Sequence, residues 1–379
     1  MTQRVVLHVG TMKSGTTSLQ ALLFANRQVL AEQGVLVPGQ AWRDQVAAVR
    51  EVIRTGAADG PAWSALADQV SAWSGTAVLS MEYLGTFSKR QVAAVVGSFP
   101  DRRVEVVVTA RDLNRQLASM WQETVQNGRA WGWEDYLRSA HRARPRPGRR
   151  DRHLTEAGRT FWRQQDLVRI TRRWAEAVGD GAVTLVAVPP PGAPHAELTA
   201  RFGRVVGFDP TGLAPGPVSN ASVGAASAQL LQLVNARLVE LGIATSDGKP
   251  VRKELLAKRV LGGRARSEPK IGLPVARWVR SYAAGMVEQL RADDLRLEGE
   301  WSDLTPVEVP GTDPTKVAET EVVAAAHDGF DGLRALLAER RPEPSDRPGL
   351  PEWPASRAVG QREAVEVLAR LLEAALAPV

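Results

Sequence analysis

Cysteine is absent from the 379 residues, which excludes disulfides, thiolate-bound zinc or iron–sulfur sites, and a cysteine nucleophile. Histidine is scarce: the five, at positions 8, 141, 153, 195 and 327, never stand at metal-ligand spacing, so no metal is expected. No apolar run approaches the roughly eighteen residues that a membrane-spanning helix requires. Met1-Thr2-Gln3-Arg4 leads straight into the strand-like Val5–Val9, where a secretory leader would need a longer apolar region and a cleavage site. These absences lead to the expectation of a soluble, cytoplasmic protein without an integral membrane segment.

Lysine is also uncommon, seven of the 48 basic residues, so Arg carries most of the positive charge in a chain of net charge +6. Arg suits planar, bidentate recognition of phosphate, sulfate and carboxylate, which favours anionic ligands, but a compositional bias toward Ala, Arg, Gly, Val and Pro accounts for the excess more readily. No zinc finger or aromatic–basic RNA motif accompanies it, so no nucleic-acid partner is expected. The length allows one large α/β domain or two smaller ones, at roughly 100–200 residues each.

Short β-branched runs alternate with longer helical patterns over the first 190 residues. Arg4–Val9, Thr76–Ser80, Val104–Ala110 and Val183–Val188 are too short for helices and almost wholly apolar, as strands buried on both faces must be. Helical spacing fills the intervals, with one helix expected over Thr17–Gln33, stopped by Gly34, and another carrying Leu113, Leu117, Met120, Trp121, Thr124 and Val125. Strands alternating with helices imply right-handed crossovers and a parallel sheet covered on both sides, an α/β fold with helical additions at its C-terminal end.

Further helices are expected over Phe161–Val178, Gln229–Leu241, Val275–Leu290 and Gln361–Ala377, the last docking on the body or on a partner through Val365, Leu368 and Leu372. The Arg- and Pro-rich segment 141–153 reads as a mobile basic loop or lid, or as a solvated loop without a role. A Pro-rich stretch at 340–354 reads as a linker. The expected division is an α/β domain over 1–310 and a helical extension over 311–379.

The chemistry concentrates in Val5–Leu19, VVLHVGTMKSGTTSL: a strand, a loop with Gly10 and Gly15, and a helix opening at Thr16-Thr17. Converging amides, the positive helix N-terminus and the Lys13 ammonium would together hold a phosphate. A Walker A loop places its Lys directly after the second Gly, whereas Lys13 precedes Gly15 by two positions. That order argues against a nucleotide triphosphatase or an ordinary kinase.

Lys13-Ser14-Gly15-Thr16-Thr17 resembles the 5′-phosphosulfate loop of the sulfotransferase family. A second motif agrees with it: family members carry an Arg at the end of the third strand and a Ser eight residues later, both on the 3′-phosphate. VVVTARDLNRQLAS places Arg111 and Ser119 at that spacing. The resemblance implies 3′-phosphoadenosine 5′-phosphosulfate as sulfuryl donor, bound by Lys13, Ser14, Gly15, Thr16, Thr17, Arg111 and Ser119, with no metal required. It also implies a carboxylate base near the second expected strand, where TAVLSMEYL supplies Glu82; a cap or an Arg partner is the structural alternative for that residue. Arg111 could instead pair with Asp112.

The resemblance covers most of residues 1–300, more weakly through FWRQQDLVRITRRWAEAVGDGAVTLVAVPPPGAP and VSNASVGAASAQLLQLVN, which look like actinobacterial sulfotransferase-like proteins. By position, Asn220 and Ser222 would complete the nucleotide pocket, or else cap the helix that follows. Cytosolic members have a Trp after Thr-Thr that stacks on adenine; here Ser18 stands there, and Val188-Pro189 is the substitute surface. The expected activity is sulfuryl transfer to a hydroxyl or amine of a glycan, lipid or secondary metabolite, with Lys13 and Glu82 catalytic and His8 the reserve base. The alternatives are a nucleotide-dependent kinase and a non-catalytic anion-binding protein of the same fold.

Overall fold

The computed structural model describes residues 3–146, 154–216, 222–245, 247–340, 350–355 and 359–376. Six strands, β1 (Arg4–His8), β2 (Val35–Leu36), β3 (Thr76–Ser80), β4 (Arg103–Ala110), β5 (Val183–Ala187) and β6 (Arg296–Glu298), form one sheet in the order β2-β3-β1-β4-β5-β6. Every pairing is parallel. The four apolar runs read as strands are therefore strands, each within a residue of its expected bounds. The two edge strands escape a sequence reading because two and three residues are too short to show a period.

Side chains alternate across this sheet, and both faces are covered. Val5, Leu7 and Val9 face α3 (Trp42–Thr55), α4 (Pro61–Ser71), α5 (Lys89–Gly97) and α9 (Leu167–Val178). Val6, Val78, Val107 and Val186 face α1 (Thr16–Ala25), α2 (Arg27–Glu32) and α10 (Ala196–Val206). The near-continuous apolar character of the central strands follows from this double burial.

Two expected helices are each broken into a pair. Thr17–Gln33 divides at Asn26, whose amide donates to Leu22 O and Ala214 O, both at 2.8 Å, and so competes with the helical ladder. Phe161–Val178 divides at Asp166, which ends α8 (Glu156–Gln165) and caps α9 by accepting from the Arg169 amide at 3.2 Å.

Beyond the sheet a third apolar core joins α6 (Leu113–Gln126), α7 (Trp133–Ala143), α8 and α11 (Ala225–Glu240) to α13 (Glu319–Arg340) and α14 (Gln361–Leu376). Val365, Leu368 and Leu372 of α14 are buried there, as their spacing predicts. The remaining long helix, α12 (Arg277–Ala292), packs beside α9 and α6. The start of the segment read as a basic loop is helical, since His141, Arg142 and Ala143 close α7; residues 147–153 lie outside the described residues. No helix among the described residues is long and apolar enough to cross a membrane.

Strand order fixes where a ligand can bind. The chain leaves β1 for the β2–β3 side and then returns to place β4 on the other side. The crossovers therefore reverse direction at β1, which makes the C-terminal ends of β1, β3 and β4 the expected place for a ligand crevice.

Candidate active site

The loop after β1 enters this crevice held by β4. Val9 N donates to Val107 O and Thr11 N to Thr109 O, each at 2.9 Å, prolonging the parallel pairing past the last residue of the strand. The chain then turns through two left-handed residues, Lys13 at φ 64° and Gly15 at φ 84°. Left-handed residues in a short loop aim successive amides into one concavity, an anion nest. Gly15 also leaves no room for a side chain, because a Cβ there would run into Leu198 of α10. Gly15 is the N-cap of α1 and makes no side-chain cap bond, so the Thr16 and Thr17 amides keep their donor capacity, while Ser18 N donates to Gly15 O at 3.1 Å.

Ser14 and Thr16 are buried while Thr17 is exposed on the first turn of α1. The Ser14 hydroxyl bonds Thr11 O and, at 2.7 Å, Thr109 Oγ1. Thr109 also meets His8 Nε2 at 3.1 Å, and His8 Nδ1 meets Ser80 Oγ at 2.7 Å. A buried polar line thus runs from β3 through β1 and β4 to the loop. Burial alone lowers the His8 pKa to about 3, so its ring is neutral and occupied at both nitrogens. His8 is a strut of the loop, and the reserve base drops out.

Arg111, one residue past β4, stands beside the loop and reaches two groups through Nη1: Ser119 Oγ at 3.1 Å and Lys13 O at 3.4 Å. The expected alternative partner, Asp112, is elsewhere engaged. It caps α6 by accepting from the Arg115 amide at 3.1 Å and is ion-paired with the Arg115 guanidinium. Arg111 therefore makes no ion pair among the described residues, and its buried Nε has no partner. Burial first, and then the like charge of Arg115, lower its pKa to about 10 against the opposing pull of Asp112. A desolvated guanidinium without a counter-ion is costly, and an anion at this point would relieve it.

Glu82 opens the short turn Glu82–Thr86 directly after β3, at the same edge of the sheet. Gln20 of α1 ties it to the loop side, donating through Nε2 to Glu82 Oε2 at 2.8 Å and to Ser80 O at 3.1 Å. Glu82 caps no helix through its side chain and pairs with no Arg among the described residues. Its neighbour Tyr83 is pushed above the ordinary phenol range by burial, then by the charges of Glu82 and Glu123, against the opposing charge of Arg50.

Glu123 and Lys253 are members of this cluster that the sequence reading missed. Lys13 Nζ lies 3.4 Å from Glu123 Oε2, and Lys253 Nζ donates to Glu123 Oε1 at 2.6 Å. Burial alone would raise the Glu123 pKa, but Lys13, Lys253 and the amide of Asn127 outweigh it and hold the carboxyl at about 2. Glu123 follows Ser119 by four residues on α6, one turn along the same face, a signal available once Ser119 is chosen. Lys253 sits in the π-helical segment Pro250–Val260, which has no recognisable spacing in the sequence.

The far side is less complete. Asn220 lies outside the described residues. Ser222 is exposed and does not cap α11, whose N-cap is Gly224; Glu268 instead accepts from the Ser227 amide and hydroxyl at 3.0 and 2.8 Å. Pro189, read as a surface for adenine, is buried and its carbonyl accepts from Arg115 at 3.1 Å.

No protein-family model matches the chain, and no curated protein matches it significantly. Among solved structures, a sulfotransferase from Alicyclobacillus acidocaldarius is similar over 68% of this chain and 96% of its own, at 12% identity and a TM-score of 0.39.

Proposed function

We propose that the chain is a sulfotransferase that moves a sulfuryl group from 3′-phosphoadenosine 5′-phosphosulfate to a hydroxyl or amine of a glycan, lipid or secondary metabolite. Arg111 carries the reading. It is a desolvated cation with an orphaned Nε and no carboxylate among the described residues, joined at once to Ser119 and to the backbone of the Lys13 loop. Two adjoining anion sites, a nest at a helix N-terminus and a half-buried guanidinium, fit a nucleoside that bears phosphates on both its 5′ and 3′ oxygens.

In this reading the loop amides, Ser14 through Thr17 and Lys13 hold the 5′ side, and Arg111 with Ser119 holds the 3′-phosphate. Asn220 and Ser222 would complete the nucleotide's surroundings. The acceptor oxygen forms a bond to sulfur as the bond between sulfur and the bridging oxygen breaks. Glu82 takes the acceptor proton, while Lys13 offsets charge on the departing phosphate. Gln20 fixes one oxygen of Glu82, which orients the carboxylate without removing its capacity to accept a proton. Catalysis then rests on positioning and electrostatics, as in phosphoryl transfer.

Incubation with sulfur-labelled donor and a panel of surrogate phenols and sugars, in the presence of chelator, tests this. Label on an acceptor, together with formation of adenosine 3′,5′-bisphosphate, is the expected result. A protein that neither binds the bisphosphate nor labels any acceptor would refute the proposal.

A further inference from the structure

Two lysines share Glu123 unequally. Lys253 donates to Oε1 at 2.6 Å and to Asn127 Oδ1 at 2.9 Å, with its side chain only 13% exposed. Asn127 in turn donates to the same Glu123 Oε1 at 2.8 Å and to the Glu123 carbonyl at 2.7 Å. Lys13 meets the other oxygen at 3.4 Å, with its side chain 34% exposed. Lys253 is therefore the fixed counter-ion of Glu123, and Lys13 is the loose one.

The difference has a consequence for any anion that enters the loop. A half-buried carboxylate stripped of its only cation is strongly disfavoured, so a lone Lys13–Glu123 pair would resist giving up Lys13. With Lys253 in place, Glu123 stays neutralised when Lys13 turns away. We propose that Lys253 is a positioning residue for Lys13: it neutralises Glu123 and so releases the Lys13 ammonium to a bound anion, without itself touching that anion. The inference rests on the loop being the donor's phosphosulfate site. It adds a residue from the π-helical segment Pro250–Val260 to the determinants of donor affinity.

Charge and affinity can be read separately. The first readout is the rate at which an amine-acylating reagent modifies Lys13 in the ligand-free protein, measured by peptide mass spectrometry. The second is calorimetric affinity for adenosine 3′,5′-bisphosphate. Lys253→Met should slow acylation of Lys13 several-fold and weaken bisphosphate binding by about tenfold or more, since Glu123 then holds Lys13 alone. Glu123→Gln/Lys253→Met should restore both readouts to within about twofold of the unmutated protein, a coupling expected only of groups that act through one another. Lys253→Arg, which keeps the charge, should behave as the unmutated protein. Should Lys253→Met fail to fold, Lys253→Gln removes the charge while keeping a hydrogen-bond donor, and carries the same expectations.

Unchanged acylation and affinity in Lys253→Met would overturn the inference. So would a loss of affinity that persists in the double variant, because Lys253 would then contact the anion directly. If the acylation rates follow the expected pattern while no nucleotide binds, the role of Lys253 stands and the donor assignment falls.

Discussion

Arg111 donates to Ser119 Oγ at 3.1 Å, across eight residues of chain, while the adjacent Asp112 is committed to Arg115. The site thus contains a half-buried cation whose neighbouring carboxylate is ion-paired elsewhere. Arg111→Met should abolish discrimination between adenosine 3′,5′-bisphosphate and AMP, a loss of about 1.5–3 kcal/mol in bisphosphate binding. The same change should leave the ligand-free protein at least as stable, since an unpaired buried charge is replaced by a methionine of similar length. Calorimetric titration and thermal unfolding of the one variant check both halves.

Lys13 is strained as well as charged. A non-glycine residue at φ 64° is held against a preference of about 1–2 kcal/mol. Lys13→Gly should therefore keep the loop geometry and hold stability to within about 1 kcal/mol, the entropic cost of Gly offsetting the relief. Under the proposed function donor binding and turnover should both fall, because the ammonium would act in the ground state and in the transition state. Thermal unfolding beside kinetics separates the side chain from the backbone it sits on.

Acid should destabilise the protein in two separable stages. His8 has a folded pKa of about 3 against an ordinary 6.5, so the unfolded chain binds its proton first and stability falls as the pH drops from about 6.5 towards 3. Glu123, at about 2 against 4.5, is likewise protonated first in the unfolded chain, and its contribution is lost only below about 4.5. Urea midpoints measured against pH should decline more gently between 6.5 and 4.5 in His8→Gln. In Glu123→Gln they should decline more gently only below 4.5.

Glu82→Gln should preserve bisphosphate affinity and lower turnover by about 10²–10⁴-fold, the usual contribution of a general base. Gln cannot take a proton, yet its carbonyl oxygen can still accept from Gln20. Near-normal turnover with a surrogate acceptor would move the base elsewhere. His8 could not replace it, buried and bonded to both Ser80 and Thr109.

Much of this arrangement was legible in the residue order. Val5–Val9, Val104–Ala110 and their companions show their strands because both faces are buried, and the Lys13 loop and the Arg111–Ser119 pair are local motifs. The breaks at Asn26 and Asp166 were hidden, since the apolar period continues through both and only a side-chain hydrogen bond ends each helix. The line from Ser80 through His8 and Thr109 to Ser14 was hidden for another reason. It depends on β1 lying between β3 and β4, which no single segment reveals. Lys253, 130 residues from Glu123, is a meeting that only the packed chain creates.

A calorimetric competition tests the proposed recognition of phosphate on both the 5′ and 3′ oxygens of adenosine. The unmutated protein is titrated in chelator with adenosine 3′,5′-bisphosphate, AMP and ATP. The bisphosphate should bind about tenfold or more tightly than AMP, the worth of one charge-assisted contact, and magnesium should change nothing. Equal affinity for bisphosphate and AMP, or tightest binding by ATP once magnesium is restored, would contradict that recognition.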